Sequence, residues 1–225
     1  MPGQIVAMGG GGFMGGTPAL DELVLSLSRR ARPRVCFLGT ATGDNANLIV
    51  MFMEAFGRLD CEPVHLRLFG APERPAEEIA RADVVYVGGG NTANMLAVWR
   101  VHGVDRALRE AWERGAVLGG PSAGANCWFA ASVTDSFGLQ LDPLRDGLGL
   151  LVGSFCPHFD GEERRRPVYT ELVRDGFPKG CAADDHAALV FEGPELREVV
   201  AAREGATAYR VTRAGVEPLE ARRLS

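Results

Sequence analysis

Residues Ala116 to Ala130 read Ala-Val-Leu-Gly-Gly-Pro-Ser-Ala-Gly-Ala-Asn-Cys-Trp-Phe-Ala. A short apolar run ends in Gly119-Gly120-Pro121-Ser122-Ala123-Gly124, and a helix-prone segment follows at once. Gly-x-Ser-x-Gly at a strand-to-helix turn is a nucleophile elbow. Small residues on both sides of the serine let the backbone take a turn that a Cβ would obstruct. The hydroxyl is then exposed at the positive end of the following helix, where a developing oxyanion is stabilised. A glycine-rich turn with an N-capping serine has the same local pattern, so the rest of the chain must decide between them.

Upstream of this turn, β-rich runs alternate with helical patterns. Strands are predicted at Gln4–Met8, Arg34–Leu38, Val64–Phe69 and Val84–Val87. Helices are predicted from Pro18 to about Arg30, over Asn47–Leu59, from near Pro75, and over Thr92–Arg100 and Val104–Arg114. The first carries Thr17 as N-cap, Asp21 and Glu22 near its start, and Arg29 and Arg30 at its end. Repeated strand-then-helix units predict a doubly wound, mostly parallel sheet covered on both faces. Downstream the pattern loosens, with strands at Leu148–Phe155 and Ala187–Phe191 and a helix at Glu162–Arg174. Glu198–Ala202 and Ala208–Leu219 read as antiparallel edge strands. With 225 residues and neither repeats nor a linker, one domain over 1–225 is expected.

Composition narrows the classes. A net charge of −5 offers no electrostatic case for nucleic acid or an anionic membrane. No apolar run reaches the roughly 18–20 residues of a membrane span, and the first residues lack a signal-peptide pattern. Five widely spaced cysteines, with no Cys-x-x-Cys, predict reduced thiols in the cytoplasm and neither a zinc site nor a disulfide framework.

Ligands in an open parallel sheet gather beyond the carboxyl ends of its strands. Gly9–Gly16, Gly88-Gly89-Gly90-Asn91, the Ser122 elbow and Cys156-Pro157-His158-Phe159 all fall at such ends. Gly10, Gly12 and Gly15 fit a dinucleotide fingerprint. Thr17 and Pro18 delay the helix, however, and the second strand ends in Leu38-Gly39-Thr40-Ala41-Thr42 with no acid to hold a ribose, so the loop is expected to pack near the active site without a cofactor. His65 and His102 read as structural or solvated. His158, held in a turn after a strand expected to be central, suits a general base for Ser122. His186, next to Asp184 and Asp185, superficially suggests a metal, but no ligand cluster accompanies it. A serine–histidine pair needs an acid to orient the imidazole, and Asp135, Asp160, Asp184 and Asp185 are all open.

Val-Gly-Gly-Gly-Asn-Thr at 87–92, Gly-Pro-Ser-Ala-Gly-Ala-Asn at 120–126 and Pro-His-Phe at 157–159 together resemble the peptidase E family of serine peptidases. That family includes aspartyl dipeptidases and, more distantly, cyanophycinases. The motifs match in order and spacing over roughly residues 80–190. The resemblance implies a fold similar to class I glutamine amidotransferases, with serine replacing cysteine. It makes Ser122 the nucleophile and His158 the base, and gives the oxyanion hole to the Gly90 and Ala123 amides. The dipeptidases carry a glutamate late in the chain as third member. The matching segment, Ala183-Asp184-Asp185-His186-Ala187, favours Asp185, one methylene shorter, with Asp135 as second choice. Arg165, within Arg164-Arg165-Arg166, and Asn91 are the substrate-binding candidates. The order Ser…His…Asp separates this chain from α/β-hydrolase esterases.

The expected function is a dipeptidase or exopeptidase working through an acyl-enzyme on a small peptide, without metal or cofactor. A homodimer is compatible with the sequence. The alternative is a non-catalytic or nucleotide-binding Rossmann-like module.

Overall fold

The computed structural model describes residues 3–70 and 72–224. The chain begins with β1 (Gln4–Met8), α1 (Pro18–Ser26), β2 (Arg34–Leu38), α2 (Ala46–Phe56) and β3 (Glu62–Leu66). It continues through α3 (Pro75–Ala80), β4 (Val84–Val87), α4 (Thr92–His102), α5 (Val104–Glu113) and β5 (Val117–Pro121). The elbow leads into α6 (Ala123–Asn126), β6 (Phe129–Thr134), β7 (Asp142–Leu144), β8 (Leu151–Cys156), α7 (Arg165–Arg174) and β9 (Gly180–Ala183). The last strands are β10 (Ala187–Glu192), β11 (Glu195–Ala201), β12 (Ala208–Thr212), β13 (Gly215–Leu219) and β14 (Ala221–Arg223).

The main sheet has the order β14-β11-β10-β1-β5-β4-β2-β3. Its five N-terminal strands are mutually parallel, and β10 pairs antiparallel with β1. Alternation along these strands splits the core into two layers. Ile5, Ala7, Val85 and Val87 pack on one face with Trp99, Leu108 and Trp112 of the α4–α5 pair. Val6, Met8, Val84 and Tyr86 pack on the other with Leu20, Leu23 and Val24 of α1 and with Phe52 and Phe56 of α2. Burial on both faces explains why β4 is wholly apolar.

The loosening after the elbow has a structural cause. Beyond the single turn of α6 the chain builds a second sheet, of order β13-β12-β9-β8-β6-β7. The strand expected at 148–155 is central in this second sheet, beginning at Leu151, and the 208–219 hairpin lies at its edge. Only β11 and β14 extend the main sheet beyond β10. Several ends also move. Helix α1 stops at Ser26, leaving Arg29 and Arg30 beyond it, and α7 starts at Arg165 because Glu162–Arg164 form a turn onto the His158 carbonyl.

Candidate active site

The elbow glycines make room for a neighbouring strand. A Cβ on Gly120 or Gly124 would collide with the Val87 carbonyl oxygen of β4, so both must be glycine for β5 and α6 to lie this close. Between them Ser122 holds φ +57° and ψ −114°. A serine in that region stores roughly 1–3 kcal/mol of strain, and such strain persists where the surroundings over-determine it. Here the Ser122 N–H donates to the Met8 carbonyl of β1 (3.2 Å), and its carbonyl accepts from Ala125 and Asn126. Helix α6 has four residues, too few for the strong helix dipole expected at this turn. The positive potential comes from individual amides instead. The N–H groups of Ala123, at the first helical position, and of Gly90, after β4, donate to no backbone carbonyl among the described residues.

His158 follows β8 with φ +51°. Its N–H donates to the Gly9 carbonyl (3.3 Å), its carbonyl accepts from Glu162, and the next residue, Phe159, is buried with its N–H on Ala183. The imidazole Nδ1 donates to Asp185 Oδ1 at 2.6 Å. That hydrogen bond holds the Asp185 carboxyl below the usual carboxylate range, against the opposing effect of its partial burial. Asp185 is itself held: its N–H donates to Asp160 Oδ1 (2.8 Å), and Asp160 is paired with Arg203. Asp160, one of the open acids in the sequence, thus anchors the backbone of Asp185.

The glycine loop after β1 closes around this pair. A Cβ on Gly10 would collide with Asp185 Oδ1 and stand 3.0 Å from His158 Nδ1, and one on Gly161 would collide with Asp185 Oδ2. The loop backbone that resembled a dinucleotide fingerprint is packed against the histidine and the aspartate. Its Phe13 inserts among Phe37, Phe52, Phe56 and Tyr86.

Ser122, His158, Asp185, Gly90, Gly10, Met14, Thr42 and His186 line one cleft of about 460 Å³. Among the described residues no hydrogen bond joins Ser122 Oγ to His158, an arrangement common in unliganded sites that tighten on substrate. Other candidates lie elsewhere. Asp135 is exposed beyond β6, outside the cleft lining. Asp184 is buried and turned away, accepting from Thr207 N–H and Tyr209 O–H. Asn91 caps α4, its Oδ1 accepting from Asn94 and its Nδ2 donating to the Ser136 carbonyl.

Arg165 departs from the expected substrate clamp. It is 2% exposed, and its guanidinium donates to Glu162 and to the Val133 carbonyl. Arg164 donates to the Leu139 carbonyl, and Arg166 stacks over Phe159 and Tyr209. Arg165 ties α7 to β6, while Arg164 and Arg166 stay exposed against neighbouring residues, and none of the three lines the cleft. His186 has no role in the site by sequence reasoning, yet the structure brings it there. It lines the cleft with Nδ1 2.6 Å from Thr17 Oγ1, so the expected N-cap hydroxyl of α1 serves an imidazole instead. Adjacency to Asp185 was the only signal that could have found it. Among the described residues no group of three His, Cys, Asp or Glu side chains could hold a metal ion. All five cysteines are free, and no helix of the described residues is long and apolar enough to cross a membrane.

Comparison with known proteins agrees with this α/β frame. The model of peptidase family S51 matches residues 5–199. The chain is 51% identical over 221 residues to an uncharacterized peptidase, YgaJ, of Bacillus subtilis (strain 168), covering 96% of this chain and 95% of that protein. It is 27% identical over 206 residues to peptidase E of Shewanella denitrificans, covering 85% and 86% of the two chains. The crystal structure of a peptidase from an acI-B1 Actinobacterium shares the fold with a TM-score of 0.71 at 19% identity, over 98% of this chain and 95% of the other. A putative peptidase E of Listeria monocytogenes EGD-e matches with a TM-score of 0.66 at 18% identity, over 89% of this chain and 99% of that one. The chain belongs to peptidase family S51. It is a serine-type peptidase of the peptidase E kind.

Proposed function

We propose that the chain hydrolyses short peptides, as a dipeptidase or exopeptidase, through an acyl-enzyme on Ser122. The observation that carries this is the His158–Asp185 pair at 2.6 Å in the same cleft as the strained Ser122. Ser122 Oγ attacks the scissile carbonyl as His158 Nε2 takes its proton. Asp185 accepts the Nδ1 proton, fixes the tautomer and stabilises the imidazolium. The unpaired N–H groups of Gly90 and Ala123 receive the oxyanion. Collapse expels the amine with the proton from His158, and water then releases the acyl group by the same base.

A cleft of about 460 Å³ sits toward the small end of ligand pockets and suits a substrate of a few residues. Five free thiols support a reducing, cytoplasmic setting. A fluorophosphonate probe is expected to label wild type and not Ser122→Ala, and a dipeptide library is expected to be cleaved only by wild type. An unlabelled wild type with no turnover would remove the mechanism.

A further inference from the structure

We infer that His186 binds the α-carboxylate of the residue released by hydrolysis, which makes the preferred substrate a peptide ending one residue after the scissile bond. This rests on the Ser122–His158 mechanism proposed above.

Three ionisable side chains line the cleft: His158, Asp185 and His186. The first two are engaged with each other. Among the described residues, the cleft lining contains no lysine or arginine. Arg203, on the same side, is paired with Asp160, and Arg165 is committed within the fold. His186 is therefore the cleft's available group for meeting an anion.

It is also rigidly built. Its N–H donates to the Gly10 carbonyl at 3.0 Å, and its carbonyl accepts from Ala202 at 2.9 Å. Its φ of +66° is fixed by these two bonds. On the ring, Thr17 Oγ1 engages Nδ1 at 2.6 Å, which leaves Nε2 for a ligand. The Thr17 hydroxyl also donates to the Gly15 carbonyl at 3.4 Å, so it can accept Nδ1–H of the protonated ring, whose Nε2–H then donates to a carboxylate; a neutral ring donates from Nε2 only when the hydroxyl turns to Nδ1 instead.

Strand order supplies the direction. Along the carboxyl edge of the main sheet, β4 bears Gly90, β5 bears Ser122 and β1 bears Gly10. The loop entering β10 carries Asp185 and His186. Ser122 thus lies between the oxyanion amide of Gly90 on one side and the His158–Asp185–His186 group on the other. His158 must protonate the departing amine, so the departing residue occupies its side of the cleft. In that residue the carboxylate is two bonds from the amine nitrogen, so a free C-terminus falls beside His186. A longer peptide would carry its uncharged amide there instead.

The test uses the best dipeptide from the library, as free acid and as C-terminal amide, with wild type, His186→Asn and Thr17→Val. Asparagine is chosen because it tolerates left-handed backbone better than other non-glycine residues. Wild type is expected to favour the acid by about 10- to 100-fold in kcat/KM, mainly through KM, the scale of one charge-assisted hydrogen bond. In His186→Asn the acid-to-amide ratio should collapse to within about threefold, and Thr17→Val should shift it part of the way. A wild type indifferent to the C-terminal charge would overturn the inference, as would a folded His186→Asn that retains the full preference. If His186→Asn fails to fold by circular dichroism, an unchanged ratio in Thr17→Val overturns it. Turnover that survives Ser122→Ala, or none of either form by wild type, would instead bring down the underlying mechanism and this inference with it.

Discussion

Two glycine-rich turns leave neighbouring parallel strands of this protein, and they do opposite things. After β5, Gly120 and Gly124 let the turn press against the Val87 carbonyl, and the turn projects a side chain, Ser122, in a strained conformation. After β1, the loop projects little chemistry of its own. Gly10 vacates the space that Asp185 and His158 occupy, and Gly12 does the same for Tyr86 and Asp21. The first turn presents a functional group, and the second admits functional groups from distant sequence. A glycine motif records close approach, and what approaches is decided by the tertiary structure.

The comparison can be broken most sharply at Ser122. Ser122→Ala is expected to reduce turnover by about 10⁴-fold or more with the fold retained, measured as kcat on a cleaved dipeptide alongside thermal unfolding. Turnover within about tenfold of wild type would mean that the elbow is only a turn.

Next is the pair that the second turn admits. Asp185→Asn keeps the shape but can donate toward His158 Nδ1, so turnover should fall by roughly 10²–10⁴-fold. Asp135→Asn, altering an exposed residue outside the cleft, should cost less. The reverse order of severity, with both variants folded, would make Asp135 the orienting acid.

Within the second turn itself, Gly10→Ala should drive Asp185 and His158 apart. It should lower turnover at least about tenfold through lost alignment and stability by about 1–3 kcal/mol through overpacking. Gly15→Ala, five residues on, meets nothing within 4 Å and should be neutral or stabilise by up to about 1 kcal/mol. Denaturant melts and kcat for the two variants separate a glycine needed for close approach from one that is not.

A smaller effect concerns Asp21, which anchors the underside of the same loop. Burial pushes its carboxyl up to about 7, with the Tyr86 hydroxyl bond opposing that shift. The folded state therefore holds this proton more tightly than the unfolded chain, whose aspartate titrates near about 3.9. Its contribution is fully present below that pH and is lost as pH rises toward 7, with a slope of at most about 1.4 kcal/mol per pH unit. Asp21→Asn should flatten stability against pH across this window. An unchanged slope in urea melts would show that Asp21 is not the titrating group.

The smallest expected effect is that of a chelator. Activity should survive EDTA, since no metal-holding cluster exists among the described residues. Loss on chelation alone, restored by a metal, would replace the mechanism.

The central strands of the main sheet were legible because they are buried on both faces, whereas the half-exposed edge strand expected at 64–69 lies at Glu62–Leu66. Gln4–Met8, Arg34–Leu38 and Val84–Val87 stand where their apolar runs predict them. The second sheet was harder to see. Strands such as Gly180–Ala183 and Asp142–Leu144 are short and lack a clear alternation, and the pairing of β6 with β8 is a long-range event. The burial of Arg165 was illegible for a related reason. Three adjacent arginines say nothing about which of them the fold will bury, and the carbonyl of Val133 that one satisfies belongs to another element.

By itself the sequence determined the local stereochemistry: which strands would be buried twice, where glycine was needed, and that Ser122 would sit on a sharp turn. These follow from side-chain periodicity and from steric limits within a few residues. Only the tertiary structure decided which of four aspartates meets His158, that Asp160 holds Asp185 from behind, and that Thr17 turns from helix cap to partner of His186. Each of those contacts joins residues at least 25 positions apart, and no local preference fixes which carboxylate or hydroxyl a folded chain brings within 3 Å of a ring nitrogen or an amide.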